Sequence, residues 1–394
     1  MPNLVEWTSC CGCGACSNIC PVQAIVMCPN HEGFLHPVID VDKCVECRAC
    51  ESACPGLSPA QNPNSEPKTF IVQHKDALIR YQSTSGGAFT AIAEEIIRRG
   101  GVVFGAVMTD DFIVRHEAVE NNQDLAKFRN SKYVQSEIGD SYNKTKTLLD
   151  EGRYVCFSGT PCQINGLHKL LGKEYEKLIS VDVVCRSVPS PLVFRKYLDF
   201  KMEEEGALSD IVFRDKKRGY LYSTLAHYKS HEAKAVSKDV YRRGGESDEW
   251  LRLFMSGKIS RRSCMTCPFQ TTKRVGDFSL SDAWETGVSA YDDNKGTTII
   301  QVWTTKGLAF LRSLENDVKI NSYPQGKHKG MDRTKIFSLQ PDRDKLFEDA
   351  KELPAKVFFK KYSSYSLLIR IKQVGRYLIW KMNLHNVIRR LIHK

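Results

Sequence analysis

Cys10, Cys13, Cys16 and Cys20 return as Cys44, Cys47, Cys50 and Cys54, each displaced by 34 residues, and Pro21 and Pro55 follow the fourth member of each run. The repeat is internal, and its chemistry is that of thiolates gathered around iron. Two-residue gaps let a tight loop present three sulfurs to one [4Fe-4S] cubane, while the fourth, before proline, points toward the cluster of the other half. Paired zinc knuckles are the competing reading. Zinc, however, rarely needs a third cysteine at the same spacing and a fourth before proline.

At this point the chain resembles the bacterial two-cluster ferredoxins. The resemblance implies one cluster on Cys10, Cys13, Cys16 and Cys54 and a second on Cys44, Cys47, Cys50 and Cys20. Cys11 and Cys28 fall outside the repeat and read as small packing residues.

A further group of cysteines lies downstream. Cys162 follows an apolar run in Phe157-Ser158-Gly159-Thr160-Pro161-Cys162-Gln163, and Cys185 follows another in Val183-Val184-Cys185. Cys264-x2-Cys267-Pro268 supplies two thiols from one loop. By themselves these four fit a buried pair plus a zinc-type CxxC as well as a third cluster.

Fifteen cysteines in 394 residues raise the question of compartment. Met1 to Trp7 has neither a basic n-region nor an apolar h-region, so reduced thiols in the cytoplasm are expected. Hydrophobic residues at 42% and charged residues at 26% exclude the disordered and membrane-spanning classes. The net charge of +11 does not call for a nucleic-acid partner: ten Lys or Arg and no Asp or Glu lie between Leu353 and Lys394, leaving the rest of the chain at +1.

The elements that must hold these residues are legible as alternation. Leu57 to Lys68, with Pro59, Pro63 and Pro67, reads as a linker. Beyond it, β-rich runs at Val102–Met108, Tyr154–Phe157 and Ile179–Val184 alternate with helical patterns, which points to an α/β body. Ser83-Thr84-Ser85-Gly86-Gly87 precedes a helix with Phe89, Ile92, Ala93, Ile96 and Ile97 on one face, and its small residues suit either a capped helix or a phosphate loop. Arg214 to Arg218 reads as a solvated charged turn rather than an anion site, and Asp277 and Asp282 as loop aspartates at least as readily as site residues. From Leu367 to Met382 apolar residues recur at three- and four-residue steps, an amphipathic helix suited to docking on its own domain or lying on a membrane surface.

Ser85-Gly86-Gly87, Ser131-Lys132-Tyr133-Val134-Gln135-Ser136, Gly159-Thr160-Pro161-Cys162-Gln163, Val188-Pro189-Ser190-Pro191 and Cys264-x2-Cys267 together resemble the beta subunit family of coenzyme F-420 hydrogenases and dehydrogenases, from about Thr69 to Gly307. The resemblance implies FAD, with contacts near Ser85, Gly86, Gly87, Lys132, Tyr133 and Gln135, and a third [4Fe-4S] cluster on Cys162, Cys185, Cys264 and Cys267, Cys156 being the alternative ligand. Two motifs depart from the family: Arg186-Ser187 stands where His-Gly is common, and Ser281-Asp282-Ala283-Trp284 where Gly-Asp-Phe-Trp is usual.

The expected fold is an α+β ferredoxin-like dicluster domain followed by an α/β flavin-binding domain. Its parts are the dicluster domain at 1–56, the linker at 57–68, the two portions of the flavoprotein body at 69–150 and 151–345, and a basic tail at 346–394. The expected function is that of an iron-sulfur flavoprotein oxidoreductase. It would pass electrons between a ferredoxin-type redox partner protein, its clusters and FAD, and a small-molecule substrate, with a deazaflavin or a surface-glycan precursor as candidates. No catalytic side chain is assigned, because the cofactors carry the chemistry. The competing class is a non-enzymatic electron-transfer subunit serving a partner enzyme. The expected location is the cytoplasm, with peripheral membrane contact through the tail.

Overall fold

The computed structural model describes residues 1–60, 66–217, 219–220, 224–229, 240–241, 248–270, 273–283, 291–323, 340–382 and 384.

The N-terminal module repeats in backbone as it does in sequence. Short helices Ala15–Ile19 and Ala49–Ser52 each follow a loop of cysteines, and a hairpin pairs Ile25–Pro29 with Leu35–Ile39. Gly12 and Gly14 have φ of 66° and 77°; their repeat equivalents, Glu46 and Arg48, have 52° and 57°. Both loops thus curl through the left-handed region, which lets successive thiols turn to one side. The first loop uses glycine, for which that region carries no side-chain penalty. The second places exposed side chains there.

The body is built on an eight-stranded mixed sheet in the order Val318–Ser322, Lys68–His74, Thr298–Val302, Phe278–Asp282, Leu178–Val183, Val155–Gly159, Val102–Met108, Val114–Val119. The four strands Phe278–Asp282, Leu178–Val183, Val155–Gly159 and Val102–Met108 run parallel; the remaining pairings are antiparallel. Parallel strands covered on both faces favour continuous apolar runs, and Val155, Cys156 and Phe157 are each wholly buried. All three β-rich runs read from the sequence are strands, and Ala88–Arg98 is the helix expected after Gly87.

Side-chain alternation divides the core. Val103, Val107, Cys156, Ile179 and Phe278 pack with helices Ala88–Arg98 and Thr305–Arg312. Val102, Phe104, Val155, Phe157 and Leu178 face helices Ser141–Asp150 and Pro161–Leu171 on the other side. Cys13, Ala15 and Ala53 of the N-terminal module belong to this second layer. A separate helical core gathers Pro191–Glu205, Glu249–Ser256, Arg343–Glu352 and Ala355–Tyr362 around Trp250 and Tyr197, and Phe34 of the module is buried in it. The module is therefore packed against the body at two places. Residues 57–60, 66 and 67 hold no regular element, and Ala60 N donates to Asn165 Oδ1 at 2.8 Å.

Helix Leu367–Lys381 forms where the periodicity placed it, capped by Ser366. Its apolar face is not covered: Leu367, Leu368, Ile371, Val374 and Leu378 are exposed, as is Met382 beyond its end. Among the described residues no helix is long and apolar enough to cross a membrane.

Candidate functional site

A cavity in the N-terminal module is lined by Cys10, Cys13, Cys16 and Cys54, with Leu4 and Met27 as apolar walls. Cys11 lines it too; the other four are the cysteines that the crossed pattern groups together. The buried Cys16 thiol is pushed up to about 12 by desolvation and by the nearby Cys10 and Cys54. Thiols so placed resist ionisation until a cation neutralises them, which fits iron. Cys20 and Cys50 pack with Cys16 and Ile25, Cys47 is exposed, and burial raises the Cys50 thiol beside it. The first set is thus internal to the protein and the second faces outward.

Backbone N–H groups already point at sulfurs of the candidate ligands. Gly12 N donates to Cys10 Sγ at 3.3 Å, Ala24 N to Cys20 Sγ at 3.2 Å, and Val188 N to Cys264 Sγ at 3.5 Å. Such bonds favour the thiolate and tune a cluster's potential.

The third group comes together from three elements. Strand Val155–Gly159 ends at Thr160, whose N–H donates to Gln163 Oε1 at 2.8 Å, and Pro161 opens the helix. Cys162 is thereby fixed in the first turn of Pro161–Leu171, where the helix favours negative charge. Cys185 follows the adjacent parallel strand, and Cys264 and Cys267 flank the end of the 3-10 turn Arg262–Thr266. Burial raises Cys185, with the proximity of Cys264, Cys162 and Cys267 adding to it. Burial pushes Cys264 to about 12 and Cys267 to about 11, and each also feels Cys162. All four are mutual neighbours, but among the described residues no three His, Cys, Asp or Glu side chains converge closely enough to hold a single metal ion. Cys156 is not among the four: it lies within its strand, with Asp277 as a charged neighbour.

Cys11 has a position that the sequence did not signal. Its thiol neighbours both Cys13 and Cys162, so it stands between the inner set of the module and the third set. Only its adjacency to Cys10 could have drawn attention to it.

The residues considered for flavin divide into two places. Ser85 Oγ and Gly86 N both bond Thr298 Oγ1 at 2.8 Å, and Gly87, with φ 84°, opens helix Ala88–Arg98 without a side-chain cap. Thr84 and Ser131 share a hydrogen bond of 2.9 Å, which brings the 131–136 stretch alongside. Tyr133 stacks on Phe254 at 4.8 Å and receives Arg214 Nη1 at 3.3 Å. Lys132 Nζ donates to the Lys127 and Arg129 carbonyls. Gln135 is elsewhere: buried, it accepts from Leu35 N at 3.0 Å on the module side.

The charged run at 214 is not a solvated turn. Arg214, Asp215 and Lys216 are buried; Arg218 lies outside the described residues. Lys216 Nζ donates to the Arg80, Ser85 and Lys295 carbonyls, and desolvation pushes it down to about 7. Arg214 pairs with Asp282 at 3.0 Å, whose other oxygen accepts from Tyr220 at 2.9 Å. Asp277 is likewise buried, accepting from Ser180 N at 2.8 Å and Thr304 Oγ1 at 2.6 Å, so it ties strands together. Long-range pairing, which sequence spacing does not display, is what allows these charges inside. Trp284 lies outside the described residues.

Residues 9–56 match the family model of the 4Fe-4S dicluster domain. Residues 152–325, which include Cys162, Cys185, Cys264 and Cys267, match the model for the C terminus of the coenzyme F420 hydrogenase/dehydrogenase beta subunit. No curated protein shows a significant match. Among solved structures, a chain of the xenon-derivatized F420-reducing [NiFe] hydrogenase complex from Methanosarcina barkeri is similar. It is 14% identical, with a TM-score of 0.45, the alignment covering 77% of this chain and 93% of that one. The chain is an iron-sulfur electron-transfer protein built on a dicluster module. Residues 152–325 carry a domain similar to the C terminus of the coenzyme F420 hydrogenase/dehydrogenase beta subunit.

Proposed function

We propose that the chain is a cytoplasmic iron-sulfur flavoprotein oxidoreductase. It exchanges electrons with a one-electron carrier protein at the outward-facing half of the dicluster module and with a small molecule at the body. The observation that carries this reading is the position of Cys11 beside both Cys13 and Cys162, which sets the inner ferredoxin site near the third cysteine group. When bound, the clusters supply one-electron steps and FAD joins them to two-electron chemistry.

The chain's own residues hold and tune. Cys44, Cys47, Cys50 and Cys20 would carry the outer cluster, Cys10, Cys13, Cys16 and Cys54 the inner one, and Cys162, Cys185, Cys264 and Cys267 the third. The uncapped start of helix Ala88–Arg98 at Ser85, Gly86 and Gly87, beside Lys132, Tyr133 and the buried Lys216, supports a flavin phosphate there. Gln135 supports it less, being engaged with Leu35. The substrate would be a deazaflavin or a surface-glycan precursor. The exposed apolar face of Leu367–Lys381, within the stretch Leu353 to Lys394 of ten cations and no acids, supports its lying on an anionic membrane surface.

Anaerobic purification with iron, sulfide and flavin quantification tests the proposal. About twelve irons and one FAD per chain are expected from three four-iron clusters. Eight irons without flavin would sink it, and twelve irons without flavin would favour an electron-transfer subunit serving a partner enzyme.

A further inference from the structure

Arg261 lies three residues before Cys264 and is only 2% exposed. Its guanidinium does not stay in its own loop. Nε donates to the Cys10 carbonyl at 2.6 Å and Nη2 to the Leu35 carbonyl at 2.7 Å, both in the N-terminal module, with the Phe34 ring 5.3 Å away. Nη1 is buried and has no acceptor among the described residues. It sits 2.5 Å from where a β-carbon of residue 12 would stand, so glycine at that position leaves room for it against the Cys10–Cys13 loop. The Arg261 carbonyl accepts from Cys264 N at 3.0 Å, which holds the same residue beside the third group.

A buried guanidinium hydrogen without an acceptor is costly, and sulfur at the end of the Cys10–Cys13 loop would relieve that cost. A fixed cation beside two sites that each gain negative charge on reduction favours the reduced state of both. We propose that Arg261 is a positioning residue shared by the inner ferredoxin site and the third site, its Nη1 donating to sulfur at the first and its charge stabilising the reduced state of both. The inference rests on the reading that Cys162, Cys185, Cys264 and Cys267 hold a cluster. Arg261 itself makes no bond to iron and transfers no proton.

The test uses the full chain, loaded anaerobically, with iron content and EPR-monitored redox titrations as readouts. Arg261→Met should keep its iron yet lower the potentials of two of the three sites, each by a tenfold change or more in the one-electron equilibrium constant, about 59 mV. The outward site should not move, and Arg261→Lys should restore most of the shift. Three unchanged potentials, or three that shift together, would overturn the proposal. Ser263→Ala is the control for packing, because Ser263 Oγ donates to the same Cys10 carbonyl at 3.0 Å without bringing charge. A shift as large as that of Arg261→Met would make the effect structural and overturn the assignment. Should Arg261→Met fail to hold iron, Arg261→Lys decides: parental iron and potentials uphold the role of charge, and loss of iron there too refutes it. Eight irons in the parent chain would sink the third site itself, whereas a shift confined to the inner site of a twelve-iron chain would sink only the sharing.

Discussion

Arg343 holds both oxygens of Glu32, Nε to Oε1 at 2.9 Å and Nη2 to Oε2 at 2.6 Å, and both side chains are buried. The pair joins the hairpin turn of the N-terminal module to helix Arg343–Glu352, and Arg262 adds a second cation to Glu32 at 3.0 Å. Removing one partner of a buried ion pair leaves an uncompensated charge, which costs about 3–5 kcal/mol. Glu32→Ala should therefore lower the urea midpoint of the anaerobic protein and expose the module to proteolysis. A loss below about 1 kcal/mol would place this contact with surface pairs.

The third cysteine group has an internal control. Cys185→Ser should reduce the iron content by about four per chain if the group holds a four-iron cluster. Cys156→Ser, buried outside the group, should leave iron unchanged. Equal iron in the parent and Cys185→Ser proteins would remove that cluster from the account.

Gly12 should not tolerate a side chain, while its repeat partner should. At φ 66° a β-carbon is disfavoured, and one at residue 12 would also meet Arg261 and Gln135 Nε2 within 2.8 Å. Gly12→Ala is expected to cost roughly 1–3 kcal/mol by overpacking and to loosen the inner site. Glu46→Gly, at φ 52° on the exposed loop, should be nearly neutral, and thermal midpoints compare the two directly.

His116 predicts a pH dependence. Burial pushes its imidazole down to about 4, while its two nitrogens bond Ser136 Oγ at 2.6 Å and the Ser158 carbonyl at 2.9 Å. Unfolded, it would titrate near 6.5, so the unfolded chain binds the extra proton between pH 6.5 and 4. This group's contribution is complete above pH 6.5 and declines as pH falls to 4, by a total on the order of 3 kcal/mol. His116→Gln should flatten that part of the stability profile measured from about pH 7.5 to about 4.5; an unchanged slope would assign it to other groups.

Deleting Leu353 to Lys394 would also remove Phe358 and Phe359, which are buried in the helical core, so the informative change is smaller. Replacing Leu367, Ile371, Val374 and Leu378 by Ser should abolish sedimentation with anionic liposomes while the iron content stays at the parental value. Unchanged sedimentation would remove the membrane reading.

The ligand spacing of the dicluster module, the three parallel-strand runs and the terminal amphipathic helix were legible in the sequence, because local periodicity and fixed gaps are themselves the structural signal. So was Cys162 at a strand-to-helix turn, since Thr160, Pro161 and Gln163 spell out the start of a helix. Tertiary structure alone decided what depends on distant partners. Glu32 meets Arg343, Arg214 and Lys216 turn inward to Asp282 and to backbone carbonyls, and Arg261 crosses from its own loop to the carbonyl of Cys10. It also decided that Cys11, packed against the core as a small residue, sits beside both Cys13 and Cys162, and that Gln135 faces the module rather than the Ser85 loop. Burial of a charge or thiol is set by what the rest of the chain brings against it, and no spacing between neighbours in sequence encodes that.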